Sequence, residues 1–360
     1  MRMKKHACGA ILTMYLMFAL SAQLVGCAGS AVNEASDAIN AIGEVSLQSG
    51  EAIEAAQAKY DALTDDEKGK VGNYSKLLDA TSEYQELLIE KDCFALIESS
   101  YLEAQKVEPN RSSASEMGIS ISKGVSDELS KLASFDDSAI ANKDFRELFS
   151  RYKKSLQSQI DGLSDFPNNP AAYNEAYLDQ GKAVQNDCLE AFESNYGLAL
   201  SADYGSSKLN KMGVIGTPYS IDTEKGKVVV TIEGFSVTSE DTETVHQVGI
   251  ANDSQECGFL LCVVNNVSYP VSDEYSGRLR FDELGIVAAL DGVQLTTVDG
   301  SLRYPGYECG GAGVLGVYSG SEVKAGETKR IGIPYVVDSD AKEVLVNLKS
   351  GEFFIVPIAR

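Results

Sequence analysis

Lys227-Val228-Val229-Val230-Thr231-Ile232-Glu233-Gly234-Phe235-Ser236-Val237 is where the chain changes character. Val228, Val230 and Ile232 recur at a period of two, and Gly234 reads as a bulge before Phe235 and Val237. Downstream, Phe259–Val264 is a continuous apolar run of the doubly buried kind. The segments 284–290, 293–298, 331–337, 344–348 and 353–358 follow, with turns at Asp291-Gly292, Asp299-Gly300 and Ser350-Gly351. Short strands at this spacing predict an antiparallel β-sandwich over residues 223–360. Upstream, residues 206–222 lose all periodicity and read as a linker.

Before the linker the apolar spacing is three and four. Ile39, Ile42 and Val45 share a face, as do Ile53, Ala56, Tyr60 and Leu63. Thr64-Asp65-Asp66-Glu67 fits a capping box. One helix starts after Asn73 and runs on through Cys93 towards Pro109. Met117, Ile121, Val125, Leu129 and Leu132 mark the next. Phe145, Phe149, Tyr152, Leu156, Ile160 and Leu163 mark another, and Asn169-Pro170 opens the last, with Tyr173, Tyr177, Val184, Cys188 and Phe192 on its face. Such narrow seams predict an antiparallel bundle. The predicted fold class is therefore segregated α+β, helices first and strands after.

Leu24-Val25-Gly26-Cys27 follows Arg2, Lys4, Lys5 and an apolar run over 10–22. This layout is that of a secretory signal, and the apolar run is too short for a membrane span. The four residues resemble the lipobox of bacterial lipoproteins. The resemblance implies a signal peptide over 1–26, cleavage between Gly26 and Cys27, and acylation of the Cys27 thiol. Residues 27–33 would then be a short lipidated tether on the extracytoplasmic face of the cell membrane. Asn40-Ala41-Ile42-Gly43-Glu44-Val45, Ser49-Gly50-Glu51-Ala52-Ile53, Tyr60-Asp61-Ala62-Leu63-Thr64-Asp65 and Val71-Gly72-Asn73-Tyr74 resemble a helical module of Gram-positive surface proteins. It covers 34–92 and implies a spacer or interaction unit, with residues 93–205 continuing as a helical bundle. Val323-Lys324-Ala325-Gly326-Glu327-Thr328 and Val263-Val264-Asn265-Asn266 are similar to the immunoglobulin-like accessory domain of Gram-positive lipoproteins. That likeness makes the expected sandwich immunoglobulin-like.

Charge and composition exclude several functions. The net charge is −22, and because residues 1–26 hold three basic and no acidic residues, the remainder carries −25. A body this acidic repels phosphate backbones, so nucleic acid is not an expected partner. Only His6 and His246 occur, which removes multi-histidine metal sites and leaves one candidate imidazole base. Beyond Cys8 and Cys27 the cysteines are Cys93, Cys188, Cys257, Cys262 and Cys309, with no C-x-x-C among them. Cys93 and Cys188 sit on or beside inward stripes, so a disulfide and two buried thiols are both open readings. Gly311-Ala312-Gly313-Val314-Leu315-Gly316 matches a dinucleotide loop but sits in β-period sequence, without the helix that reading needs. No metal and no cofactor are expected.

Tyr269, Tyr275, Tyr304, Tyr307 and Tyr318 cluster in the β-domain loops, and loop tyrosines are favoured contact residues. They are the candidate contact surface. The expected function is a non-catalytic binding or scaffolding component of the cell envelope, anchored by lipid, with an unknown envelope protein or glycan as partner. The alternative is a carboxylate-based envelope enzyme, or its substrate-holding subunit, acting on a cell-surface glycan.

Overall fold

The computed structural model describes residues 28–108, 110, 113–201, 210–237, 254–270, 279–280, 284–290, 293–295, 304, 306–309, 320–321 and 323–360. Gly26, Cys27, Tyr275, Tyr318, His246 and the 311–316 glycine run lie outside the described residues. Contacts divide the chain into two units, with the boundary after Leu88.

The first unit holds α1 (Ala28–Ala41), α2 (Gly50–Asp61), α3 (Asp65–Lys68) and the start of α4 (Tyr74–Ala104). Ile39, Ile53, Leu63, Val71 and Leu77 form its core, and Tyr60 stacks on Tyr74 at 3.9 Å between centroids. Glu67 closes the turn into α3, accepting from the Thr64 amide at 3.0 Å and its hydroxyl at 2.8 Å. Residues 28–33, expected as the tether, are the first turns of α1, where Val32 packs against the Ala35–Ile39 stripe.

In the second unit, α4 continues from Ile89, followed by α5 (Ala114–Leu132), α6 (Lys143–Leu163), α7 (Pro170–Ala172), a π-helix (Tyr173–Lys182) and α8 (Ala183–Tyr196). Phe94, Ile97, Phe145, Phe149, Tyr152, Leu156 and Phe192 are the heart of its helical core. Ser113, Asn142 and Asn169 cap helix starts with side-chain oxygens, and Gly197, at φ 68°, ends α8. The π-helix lies tight against α6: a Cβ on Gly162 would stand 2.3 Å from the Tyr177 amide nitrogen, and one on Gly181 2.5 Å from Gln159 Cγ.

The strands are β1 (Lys211–Met212), β2 (Pro218–Thr223), β3 (Gly226–Val237), β4 (Gln255–Asn266), β5 (Leu279–Arg280), β6 (Val287–Leu290), β7 (Val293–Gln294), β8 (Glu308–Cys309), β9 (Gly320–Ser321), β10 (Thr328–Asp338), β11 (Glu343–Asn347) and β12 (Glu352–Ala359). Apart from the β5–β9 pair they join one sheet in the order β7-β6-β11-β12-β3-β4-β10-β8, with β1 beside β12 and β2 beside β3. The expected immunoglobulin-like antiparallel sandwich does not form. The sheet is mixed and curls into a half-barrel, with parallel pairs β1–β12, β12–β3 and β8–β10.

The reason is visible in β3. Its register shifts between Ile232 and Gly234, so the strand bends at the bulge. Beyond the bend, Phe235 and Ser236 pair in parallel with Ile358 and Ala359 of β12. That pairing joins the two parts of the sheet, so the bent sheet closes over its own core of Val228, Val230, Ile232, Phe235, Leu260, Ile333, Val346 and Phe354. Part of the expected linker is also strand, since β2 pairs with β3 from Pro218 to Thr223.

Candidate functional site

β11 and β12 are apolar on both faces. Val344, Val346, Phe354 and Val356 point into the half-barrel core, so Leu345, Phe353 and Ile355 must point the other way. The helical layer covers that second face with Ala114 and Met117 of α5, Leu163, Phe166, and Tyr173 and Tyr177 of the π-helix. Asn174 fastens the two layers. Its amide nitrogen donates to the Met212 carbonyl at 2.8 Å and its oxygen accepts from the Met212 amide at 2.7 Å, so one side chain stands in for a strand partner of β1.

Where this cover ends, a cleft of about 550 Å³ opens between the start of α5 and the β6–β11 side of the sheet. Its floor is apolar, from Met117, Ala289, Leu290, Leu345 and Ile355. Its rim carries Asp338, Asp340, Lys342 and Glu343. The Glu343 carboxylate accepts from the Ala114 backbone amide, the first amide of α5, where the helix end favours negative charge. A cleft of this size, with an apolar floor and a few polar groups at its edge, has the form of a ligand or peptide site.

Of the candidate contact tyrosines, the three described ones, Tyr269, Tyr304 and Tyr307, do not share one surface. Tyr269 is 4% exposed in the half-barrel core, where buried Asn266 pins its loop: Asn266 Nδ2 donates to the Tyr269 and Val323 carbonyls, and its Oδ1 accepts from the Tyr269 amide. Tyr304 and Tyr307 lie on the opposite face of β4, edge to face with one another, and Tyr304 packs against Phe259. The Tyr307 hydroxyl donates to Glu233 at 2.6 Å, Arg330 donates to the same carboxylate at 3.0 Å, and the guanidinium lies 5.0 Å from the Tyr307 ring centre. Burial opposes ionisation of Glu233, but Arg330 and Tyr307 outweigh it and hold its carboxyl below the ordinary range. Burial first, then the Glu233 hydrogen bond, pushes the Tyr307 phenol up to about 12.

Of the two open readings for Cys93 and Cys188, the structure has both as free thiols buried in the helical core. Desolvation pushes Cys93 to about 12 and Cys188 to about 11, so both stay protonated and unreactive at neutral pH. Among the described residues no group of three or more His, Cys, Asp or Glu side chains could hold a metal ion, and no helix is long and apolar enough to cross a membrane.

The sequence reading missed the cleft, yet the signal was present. Phe353-Phe354-Ile355-Val356 is a continuous apolar run, which marks a strand covered on both faces. No protein-family model, curated protein or solved structure matches the chain.

Proposed function

We propose that this chain is an exported lipoprotein, acylated at Cys27, that acts by binding rather than by chemistry, with the α5–β11 cleft as its contact site. The cleft itself carries the reading: its apolar floor sits where the helical layer stops short of β11 and β12. Leaving such a surface open costs free energy that a bound partner recovers, on the order of 25 cal/mol per Å² of apolar area. The residues around Cys27 support the anchor. The partner is an envelope protein or glycan.

Two measurements test this. Radiolabelled palmitate should enter the full-length protein in cells and should not enter Cys27→Ala; label in both would refute the anchor. A photo-crosslinking amino acid at Met117 should trap one reproducible envelope component, and Ile355→Glu should abolish the adduct. An adduct unaffected by Ile355→Glu would place binding elsewhere. One observation favours a second reading, a carboxylate-based enzyme or substrate-holding subunit acting on glycan: Asp338, Asp340 and Glu343 line the same cleft. Glycan cleavage lost in the Asp338→Asn/Asp340→Asn double variant would select it.

A further inference from the structure

Polar side chains from α5, α6 and α8 meet inside the second unit at positions that the helix stripes assign to apolar residues. Glu128 is 3% exposed, Gln185 1%, and Tyr152 and Gln159 are fully buried. The Tyr152 hydroxyl donates to Glu128 Oε1 at 2.6 Å, and Gln185 Nε2 donates to the Tyr152 oxygen at 3.0 Å and reaches Glu128 Oε1 at 3.5 Å. Gln159 Nε2 and Lys182 Nζ both donate to Gln185 Oε1, at 3.1 and 3.3 Å. Gln159 Oε1 is buried and meets no donor among the described residues.

This arrangement suits a neutral Glu128 better than an ionised one. A buried carboxylate is compensated only by close donors or a paired cation. Here one short hydrogen bond reaches it, and the Lys182 ammonium donates to an amide oxygen instead. Protonation leaves the Tyr152 donation in place on the acid's carbonyl oxygen. The titratable groups facing the site are Tyr152 from α6 and Lys182 from the π-helix, with Tyr101 of α4 beside Tyr152. Of the other charges on α5, Lys123 with Asp127 and Lys131 with Glu103 sit in exposed pairs, and Glu116 is exposed in the first turn.

We propose that Glu128 makes the helical part of the second unit a proton-responsive element: one proton taken from solvent by its carboxyl locks α5 against α6 and α8, and release of that proton loosens them. Desolvation supports this by pushing Glu128 up to about 7, against the pull of Tyr152 and Lys182. Burial likewise lowers Lys182, so ionisation of Glu128 leaves two poorly solvated charges in place of one.

The test is amide hydrogen exchange across 182–190 in the full chain between pH 5 and 8.5, corrected for intrinsic rates. Protection in the wild type should fall as pH rises through neutrality, by up to about a hundredfold, whereas Glu128→Gln should hold its protection flat. Parallel profiles in the two proteins would overturn the proposal. If Glu128→Gln does not fold, carboxyl-carbon NMR of the wild type reads the same group directly. A Glu128 midpoint near 7 that moves higher in Tyr152→Phe supports the proposal, and a midpoint in the ordinary glutamate range sinks it.

Discussion

Asn266 and Glu128 are both buried polar residues, but they do opposite things. Asn266 satisfies three backbone groups at once and is itself fully buried, so it fastens the 266–269 turn to Val323. Its removal orphans the Tyr269 amide and two carbonyls. Asn266→Ala should therefore cost about 3 kcal/mol, read as a lower denaturant midpoint, and Asn266→Asp should not restore it because the donor is lost. A loss under about 0.5 kcal/mol would mean that the turn is held by other contacts. Glu128 was legible as an anomaly in the sequence, since it stands three residues after Val125 and four before Leu132 on a buried stripe. What the sequence could not convey was its partners, which come from residues 24 to 57 positions away.

At the scale of elements, close approach decides more than propensity does. Gly162 of α6 faces the backbone of the π-helix, and a methyl group there would meet the Tyr177 amide nitrogen at 2.3 Å. Gly162→Ala should destabilise the second unit by about 1–3 kcal/mol, although an alanine is the better helix former. Thermal unfolding followed by circular dichroism checks this, and a stabilised variant would show that the π-helix yields easily. Asn174 has a parallel role between layers. Asn174→Ala should cost about 2 kcal/mol and raise proteolytic cutting near β1, because both Met212 backbone groups lose their partner. The helices themselves were readable from their caps and stripes. The π character was not: that segment packs closely against Gly162 of the neighbouring helix, an approach that no local pattern records.

The whole molecule should be most stable in mildly acidic solution. Glu128 rises from its ordinary 4.5 to about 7 in the fold, so the folded state holds its proton more tightly than the unfolded one. That stability is fully present below about 4.5 and is lost as pH climbs to about 7, a difference of roughly 3 kcal/mol. Glu233 runs the other way. Its carboxyl is lowered by Arg330 and Tyr307, so its contribution is present above the ordinary carboxylate range and is lost as pH falls further. Self-repulsion of a chain carrying −22 adds to the decline at higher pH. The melting temperature should peak at about pH 4.5–5, and Glu128→Gln should flatten the alkaline side. A maximum at or above pH 7 would contradict this ordering. The residue order by itself determined that helices come first and strands after, the bulge at Gly234 and the stripes that became cores, because periodicity reports which side of one element avoids water. Only the tertiary structure decided which strands are neighbours and in which direction. The parallel β12–β3 pair joins residues 123 positions apart, and no local pattern records which distant backbone will satisfy an open edge. The cleft follows from that same closure, since it lies where a helix layer and a bent sheet of fixed lengths stop covering one another.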